Sequence, residues 1–170
     1  MKKFSLIIPV YKQGKTIKAN ILSILGVLRA VSVPFEIIAV IDGKFDTSER
    51  EAKKVKDSCV RVIGYKTNRG KGYAVRYGFA HADGDVIGFM DAGGDLRPEA
   101  LLPMLAQFDF QDADVVLGSK RHPDSKVDYP MYRKILSWVY QKFVKLLFGL
   151  EVRDTQVGMK LYRRKVLEDV

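Results

Sequence analysis

Short apolar runs alternate along the chain with longer segments in which apolar residues recur at helical spacing. Runs of this kind are typical of strands that are buried on both faces of a parallel sheet. They predict strands at 4–10, 35–41, 60–65, 85–90 and 114–117. Helices are predicted at 16–31, 48–57, 71–82, 98–108 and 131–148, the second of them opened by a capping box of Ser48 and Glu51. This alternation predicts a three-layer α/β domain of Rossmann type with a mostly parallel central sheet.

Chemically distinctive residues follow each predicted strand. They are Pro9, Val10 and Tyr11 after the first strand, Asp42 and Gly43 after the second, 68–72 after the third, Asp91 after the fourth and 118–121 after the fifth. In such sheets ligands bind outside the carboxyl ends of the strands, so five loops converging on one edge favour a ligand site. Asp42 suits hydrogen bonding to a ribose or base and Tyr11 suits stacking on a base. A turn aspartate and a half-buried tyrosine are nevertheless common for structural reasons alone.

Composition narrows the class of protein. The chain has 170 residues, of which 47% are hydrophobic, and this is typical of a globular domain with a real core. A single cysteine, Cys59, excludes a disulfide framework and a cysteine-built zinc site. The apolar run near the N-terminus is too short for a signal peptide, and no run reaches the roughly 18 residues of a membrane span, so we expect a reduced, cytoplasmic domain. A net charge of +9 suits nucleic acid, an anionic membrane face or a phosphorylated substrate without distinguishing them.

The segment 90–95 carries two carboxylates, Asp91 and Asp95, in a glycine-rich loop. Such a pair can hold a hard divalent cation, which bridges the oxygens of a diphosphate and neutralises a leaving nucleotide. An aspartate at a strand end followed by an aspartate that caps the next helix would give the same pattern. The spacing therefore leaves a metal site and a purely structural role both open.

The segment 68–72, Asn-Arg-Gly-Lys-Gly, has the features of a phosphate cradle: glycine, a helix N-terminus and the cations Arg69 and Lys71. It is not a P-loop, because Tyr65 stands in place of the first glycine and Gly72 in place of the final hydroxyl residue. It also lacks the third glycine of the dinucleotide fingerprint. A plain basic turn remains the alternative.

The predicted helix at 131–148 combines a narrow polar stripe with a broad apolar and aromatic surface. Arg133, Ser137, Gln141 and Lys145 recur every four residues and form the stripe. This combination is typical of a helix that lies at a bilayer surface. A helix packed between the sheet and another part of the protein would look the same, and both interpretations stay open.

Six motifs, taken in order, resemble those of the family 2 glycosyltransferases with the GT-A fold. They are Ile-Ile-Pro-Val-Tyr (7–11), Val-Ile-Asp-Gly (40–43), the segment 68–78, the segment 84–92, Gly-Ser-Lys-Arg-His (118–122) and the segment 153–162. Within the family the chain is most similar to the polyprenyl-phosphate branch. That branch includes the dolichyl-phosphate β-glucosyltransferases and the dolichol-phosphate mannosyltransferases, and the motifs at 68–72 and 153–156 point to the glucosyl type.

The resemblance implies an inverting hexosyltransferase that acts as a peripheral protein at the cytoplasmic face of a membrane. It implies transfer from a nucleotide sugar, UDP-glucose or GDP-mannose, to a polyprenyl (dolichyl-type) phosphate. An acceptor phosphate is already an anionic nucleophile, so positioning and charge neutralisation matter more than a strong general base.

The family's site residues carry over by motif. The nucleotide-sugar residues are Pro9, Tyr11, Val40, Asp42, Asp91 and Ala92, with Lys71 added from the phosphate cradle. The ligands of a divalent cation, Mg²⁺ or Mn²⁺, are Asp91 and Asp95. The acceptor-phosphate residues are Lys120, Arg121, Arg133 and Ser137.

The chain departs from the family pattern at several positions. Gly93 stands where the second aspartate of an Asp-X-Asp pair is usual, so we expect weak or water-mediated metal binding. The other departures are Gln13 and Gly14 for the acidic residues that follow the tyrosine, and Ile41 and Lys44 for the outer members of an Asp-Asp-Gly-Ser motif. The family's catalytic domain continues beyond the equivalent of the last residue, so we expect a single domain over 1–170 that is truncated at its C-terminus.

Two other interpretations remain. One is a nucleotide-sugar-binding domain without activity, and the other is a family 2 glycosyltransferase with a soluble acceptor. Nucleic-acid binding is not expected, because the chain has no stacking platform or reader-helix motif.

Overall fold

Six strands in the described part of the chain form one sheet. They are β1 (Phe4–Val10), β2 (Phe35–Asp42), β3 (Val60–Tyr65), β4 (Val86–Met90), β5 (Val115–Leu117) and β6 (Met159–Arg163). Their order across the sheet is β3-β2-β1-β4-β6-β5. The computed structural model describes residues 1–94, 96–119 and 157–168. The chain divides into two units, Met1–Val116 with Gly158–Val170 and Leu117–Val157, and β1 to β4 and β6 belong to the first.

Helices connect most of these strands. They are α1 (Ile17–Leu28), α2 (Ser48–Ala52), α3 (Lys71–Ala80), α4 (Leu101–Phe110) and α5 (Arg164–Glu168). A 3₁₀ turn at Pro98–Ala100 precedes α4, as expected for a proline at a helix start. The predicted helices from 16 to 108 are thereby confirmed, with ends that differ by a few residues.

The start of α2 is where the sequence-based prediction is wrong. Thr47, not Ser48, precedes the first turn, no side chain caps it, and the helix ends at Ala52. The Ser48 hydroxyl instead accepts a hydrogen bond from the Gln13 backbone N–H at 2.8 Å. A tertiary contact has therefore taken the group on which the capping box depended.

The strand pairing confirms a mostly parallel sheet. β1 pairs in parallel with both β2 and β4, and β2 pairs in parallel with β3. β6, which the sequence analysis did not predict as a strand, pairs antiparallel with β4. Its register pairs Met90, the last residue of β4, with Met159. Asp91, which follows Met90, therefore lies beside Gly158.

Buried apolar side chains cover both faces of the sheet. Leu6 and Ile8 of β1 belong to a large cluster that includes the buried faces of α1 and α4. Ile7, between them, belongs to a second cluster with Ala74 of α3. Successive residues of a strand point to opposite faces, so a strand covered on both sides is apolar throughout. This is the reason for the unbroken apolar runs, and it confirms the three-layer arrangement.

No helix within the described ranges has the length and apolar content that crossing a bilayer requires. The predicted helix at 131–148 lies outside the described residues. Its membrane-surface and core-packing interpretations both stay predictions.

A buried carboxylate fastens the edge of the sheet at which the strands begin. Glu36 of β2 is 4% exposed and accepts hydrogen bonds from the Ser5 hydroxyl at 2.7 Å and the Asp83 backbone N–H at 2.8 Å. Arg61 donates to it at 3.0 Å, and the Lys3 Nζ atom lies 3.3 Å away. Burial alone would raise the pKa of Glu36, but these donors outweigh burial and hold the pKa below its ordinary value of 4.5.

Glu36→Gln is expected to lower the free energy of unfolding at neutral pH by about 1–3 kcal/mol, because two cations then face a weaker acceptor. A carboxyl group with a depressed folded pKa stabilises the fold above its unfolded pKa, and that contribution is lost as the pH falls through the folded pKa. The deficit of the variant should therefore shrink below about pH 4.5. Urea unfolding at neutral pH and in steps into the acid range measures it, with the exposed Glu99→Gln as the control. A deficit that is constant across the acid range would contradict the assignment.

Candidate functional site

The carboxyl ends of β1, β2 and β4 meet at one edge of the sheet, because these strands are parallel. A cleft of about 500 Å³ opens at that edge. Its wall includes six of the seven predicted nucleotide-sugar residues: Pro9, Tyr11, Asp42, Lys71, Asp91 and Ala92. It also includes Asn68 and Gly70 from the predicted phosphate cradle, and three residues that were not assigned to the site: Val10, Gln13 and Gly93. The seventh predicted residue, Val40, is fully buried in the apolar cluster that faces α3 and is not among the lining residues.

Asp42, the last residue of β2, holds the loop that leads into α3. It is 2% exposed, and its carboxylate accepts hydrogen bonds from the Asn68 side-chain amide and the Arg69 backbone N–H, each at 2.8 Å. The nearby Tyr65 hydroxyl is buried and has no hydrogen-bond partner among the described residues. Burial, followed by the Asp42 carboxylate, raises the pKa of Tyr65 above its ordinary value, so the phenol stays neutral. Asp42 thus has a structural role, and its nucleotide-binding role stays a prediction.

Tyr11 and Phe45 form an exposed aromatic pair beside the cleft. Their rings meet edge to face with centroids 6.0 Å apart, and the Lys12 Nζ atom lies 5.1 Å from the centroid of Tyr11. Gly43 permits this packing: its φ is +84°, and a Cβ there would collide with the Phe45 ring and lie 2.9 Å from the Asn68 backbone nitrogen. An aromatic pair with an adjacent cation offers a surface for a planar base. The contribution of Phe45 was not predicted, because a single aromatic residue in a turn has no periodic signal.

Polar side chains at the start of α2 and just before it hold the loop between β1 and α1. The Ser48 hydroxyl accepts from the Gln13 N–H, and the Asp46 carboxylate accepts from the Gly14 N–H at 3.0 Å. Burial alone would raise the pKa of Asp46, but hydrogen bonds from Ser48 and Gly14 lower it below its ordinary value. A Cβ at position 14 would collide with the Thr47 hydroxyl. The departure at Gly14 therefore has a structural reason, since a side chain there would collide with Thr47.

The helix α3 begins at the cleft. Gly70, which precedes its first turn with φ +87°, and Lys71, its first residue, both line the cleft wall. First-turn N–H groups have no acceptor within the helix and carry the positive end of its dipole. The Lys71 Nζ atom lies 2.5 Å from Asp91 Oδ1. Backbone donors, a helix N-terminus and a lysine together suit an anionic phosphate.

The acidic loop after β4 is positioned by two residues that the sequence analysis did not assign. The Asp91 N–H donates to the Gly158 carbonyl at 2.9 Å, and a Cβ at Gly158 would lie 2.6 Å from the Asp91 carboxyl carbon. The Asn20 side chain of α1 donates to the Ala92 carbonyl at 2.5 Å. Gly158 lies within the family motif at 153–162, so the sequence held a signal for it. Asn20 is a single polar residue on a helix and belongs to none of the quoted motifs, so the sequence held no signal for it.

Asp91 is the carboxylate of this wall that a divalent cation could use. Within residues 1–94, 96–119 and 157–168, no three His, Cys, Asp or Glu side chains come together as a ligand set. The predicted second ligand, Asp95, lies outside the described residues. The Lys71 ammonium lies against Asp91, so this carboxylate is already paired with a cation, and its metal role stays a prediction.

The predicted acceptor-phosphate residues also lie outside the described residues. They are Lys120, Arg121, Arg133 and Ser137.

Comparisons with known proteins bear on the family. The sequence model of glycosyl transferase family 2 matches residues 5–170. Undecaprenyl-phosphate mannosyltransferase of Micrococcus luteus is 30% identical over 170 residues, covering 96% of this chain and 68% of that protein. Dolichyl-phosphate beta-glucosyltransferase of Drosophila melanogaster is 31% identical over 179 residues, covering 95% of this chain and 55% of that protein. The chain thus spans between half and about two thirds of these relatives.

A comparison with solved structures bears on the fold. Glucosyl-3-phosphoglycerate synthase from Mycobacterium tuberculosis, in complex with Mn²⁺, UDP-glucose and phosphoglyceric acid, matches with a TM-score of 0.73 and 18% identity. The match covers 98% of this chain and 58% of that one. At this identity the likeness establishes the fold alone, and it confirms the predicted GT-A architecture.

Gly158→Ala is expected to lower the free energy of unfolding by about 1 kcal/mol, because the added methyl group displaces the partly exposed Asp91 carboxyl group from its ion pair with Lys71. Chemical denaturation measures the change. Gly26→Ala is the matched control: it lies in α1 with nothing within 4 Å of its added Cβ, and it should instead stabilise the fold. Wild-type stability for Gly158→Ala would contradict the close approach.

Proposed function

Because the chain belongs to glycosyl transferase family 2, we propose that it transfers a hexose, with inversion, from a nucleoside diphosphate sugar to a polyprenyl phosphate. The reaction takes place at the cytoplasmic face of a membrane. The observation that carries the proposal is the cleft at the carboxyl ends of the parallel strands, whose wall combines an aromatic residue, a helix N-terminus, Lys71 and Asp91. The aromatic group suits a base, the cationic groups suit a diphosphate, and the carboxylate suits a metal cation.

The donor nucleotide lies along this wall. Tyr11 stacks on the base, with Phe45 behind it, and Asp42 accepts a hydrogen bond from the base or ribose. The diphosphate meets the first-turn N–H groups of α3 and the Lys71 ammonium, where the helix dipole and the lysine both favour negative charge. The solved relative with bound UDP-glucose supports a UDP-sugar as the first donor to test.

A divalent cation, Mn²⁺ or Mg²⁺, is held by Asp91, with Asp95 as the predicted second ligand. When bound, it supplies positive charge to the diphosphate of the leaving nucleotide. The Asn20 hydrogen bond to the Ala92 carbonyl and the Asp91 N–H bond to the Gly158 carbonyl hold the backbone of this loop at the cleft wall before the cation arrives. The Mn²⁺ in the solved relative supports this choice of cation.

The acceptor is a lipid-linked phosphate. Both relatives named above are polyprenyl-phosphate sugar transferases by name, and this supports the same acceptor class here. Lys120, Arg121, Arg133 and Ser137 hold the acceptor phosphate, and the helix predicted at 131–148 lies on the membrane. The phosphate oxygen attacks the anomeric carbon of the sugar as the bond from that carbon to the diphosphate oxygen breaks, and the nucleoside diphosphate leaves. The protein's task is therefore to position two anions and neutralise their charge.

Asp42→Ala is expected to weaken nucleotide binding by about 1–3 kcal/mol, the cost of losing a buried acceptor for the base or ribose. Titration calorimetry with UDP and with GDP measures the dissociation constant. Asn68→Ala removes the side-chain amide that Asp42 holds but leaves the carboxylate, so a smaller loss is expected there. Asp109→Ala, beside Met1 at the opposite edge, is the unrelated carboxylate control. An unchanged dissociation constant for Asp42→Ala would remove Asp42 from the site.

Arg133→Ala is expected to lower kcat/KM for a polyprenyl phosphate by about 10- to 150-fold, since a hydrogen bond to a charged group contributes about 1.5–3 kcal/mol. Nucleotide affinity should stay unchanged, because Arg133 acts on the acceptor. Transfer assays with the polyprenyl phosphate in anionic liposomes measure this, and liposome binding should weaken as salt increases. Lys56→Met, an exposed lysine before β3, is the charge control. Transfer to a soluble phosphate alone, with no liposome binding, would favour a soluble acceptor instead.

A further inference from the structure

Two oppositely charged side chains meet on the cleft wall. The Lys71 Nζ atom lies 2.5 Å from Asp91 Oδ1, and both residues line the cleft. The ammonium also lies 5.4 Å from the centroid of the Phe89 ring on β4, at a distance typical of a cation–π contact. Lys71 therefore has two partners that hold it against the carboxylate predicted to bind the metal.

One carboxylate oxygen cannot serve an ammonium and a divalent cation at full strength. The ammonium occupies an oxygen that the metal would use, and it repels a second positive charge at short range. Gly93 contributes no carboxylate to this wall, so Asp91 has no neighbour two residues along that could take over the metal. A cation that binds Asp91 in the empty cleft therefore competes with Lys71 for Oδ1.

Displacement is feasible because the pair is only partly buried. The side chains of Lys71 and Asp91 are 51% and 40% exposed, and ion pairs at such exposure stabilise a fold by at most about 1 kcal/mol. The flexible four-carbon stem of lysine lets the ammonium move while its backbone stays in the first turn of α3. The same first turn presents N–H groups to an anion, so a bound diphosphate would be an alternative partner for the lysine.

We propose that Lys71 is an exchangeable counter-ion of the donor site. In the empty cleft it neutralises Asp91, and when a nucleoside diphosphate binds it moves to the diphosphate and leaves Asp91 to the divalent cation. The inference rests on the proposed function, and it adds that cation and nucleotide bind with positive coupling. Such coupling is reciprocal, so each ligand raises the affinity for the other by the same factor.

The first test is Mn²⁺ binding without nucleotide, followed by the electron paramagnetic resonance signal of free Mn²⁺. Lys71→Met should bind Mn²⁺ about five-fold more tightly than wild type, the ratio that corresponds to an ion pair of about 1 kcal/mol. Lys71→Gln is a second neutral variant and should behave alike, whereas Lys71→Arg keeps the charge and should stay near wild type. Lys56→Met removes an exposed lysine before β3 and should leave the affinity unchanged. Asp91→Asn should abolish the gain when it is combined with Lys71→Met.

The second test repeats the titration with UDP or GDP, whichever nucleotide the wild type binds. In wild type the nucleotide should raise the Mn²⁺ affinity, and in Lys71→Met this factor should be smaller, because no ammonium has to be moved. Equal Mn²⁺ affinity for wild type and both neutral variants would overturn the proposal. Mn²⁺ that binds to none of the proteins, even with nucleotide, would also overturn it. Failure of the wild type to bind either nucleotide would instead contradict the proposed function, while the nucleotide-free comparison would still decide the role of Lys71.

Discussion

The parallel pairing of β1 with β2 on one side and β4 on the other is the constraint on which the cleft depends. It brings the ends of three strands to one edge of the sheet, so that Tyr11, Asp42 and Asp91 line a single cavity although they are distant in sequence. Burial on both faces maintains this pairing, since Ile7 packs towards α3 while Leu6 and Ile8 pack towards α1 and α4. A shift of register by one residue would exchange these faces, so the position of the site follows from the packing of the core.

Several polar groups at this edge also hold loops in place. Asp42 binds the loop before α3 through Asn68 and Arg69, and Asp46 binds the loop after β1 through Gly14. Asp42 is buried and needs such donors, because an unpaired buried charge would be costly to desolvate, whereas Asp46 is exposed. The consequence for function is that these loops are ordered before a ligand arrives. Loss of such a carboxylate therefore affects both the loop and the ligand, and the two effects have to be separated with variants of the partner residue.

The net charge of the chain is +9, but positive and negative side chains are paired at the cleft. Lys71 and Asp91 neutralise each other in the empty site, although the reaction proposed for this cleft needs a positive charge for the diphosphate and a negative charge for the cation. A site whose charges are paired internally avoids an isolated charge while it is empty. It then has to break that pair on loading, which links the binding of the two ligands.

The sequence by itself determined the local elements and the identity of most of the cleft residues. Apolar runs predicted β1 to β5. For β1, β2 and β4 the reason is that strands covered on both faces must be apolar, and the residues at their ends followed from the parallel order. The tertiary structure alone decided β6, the tertiary use of the Ser48 hydroxyl, the Asn20 contact with Ala92, and the pairing of Lys71 with Asp91. Each of these joins residues from separate elements, so their contact depends on how those elements pack. A periodic pattern records which face of an element is buried, but it does not record which polar side chain on another element will lie opposite it.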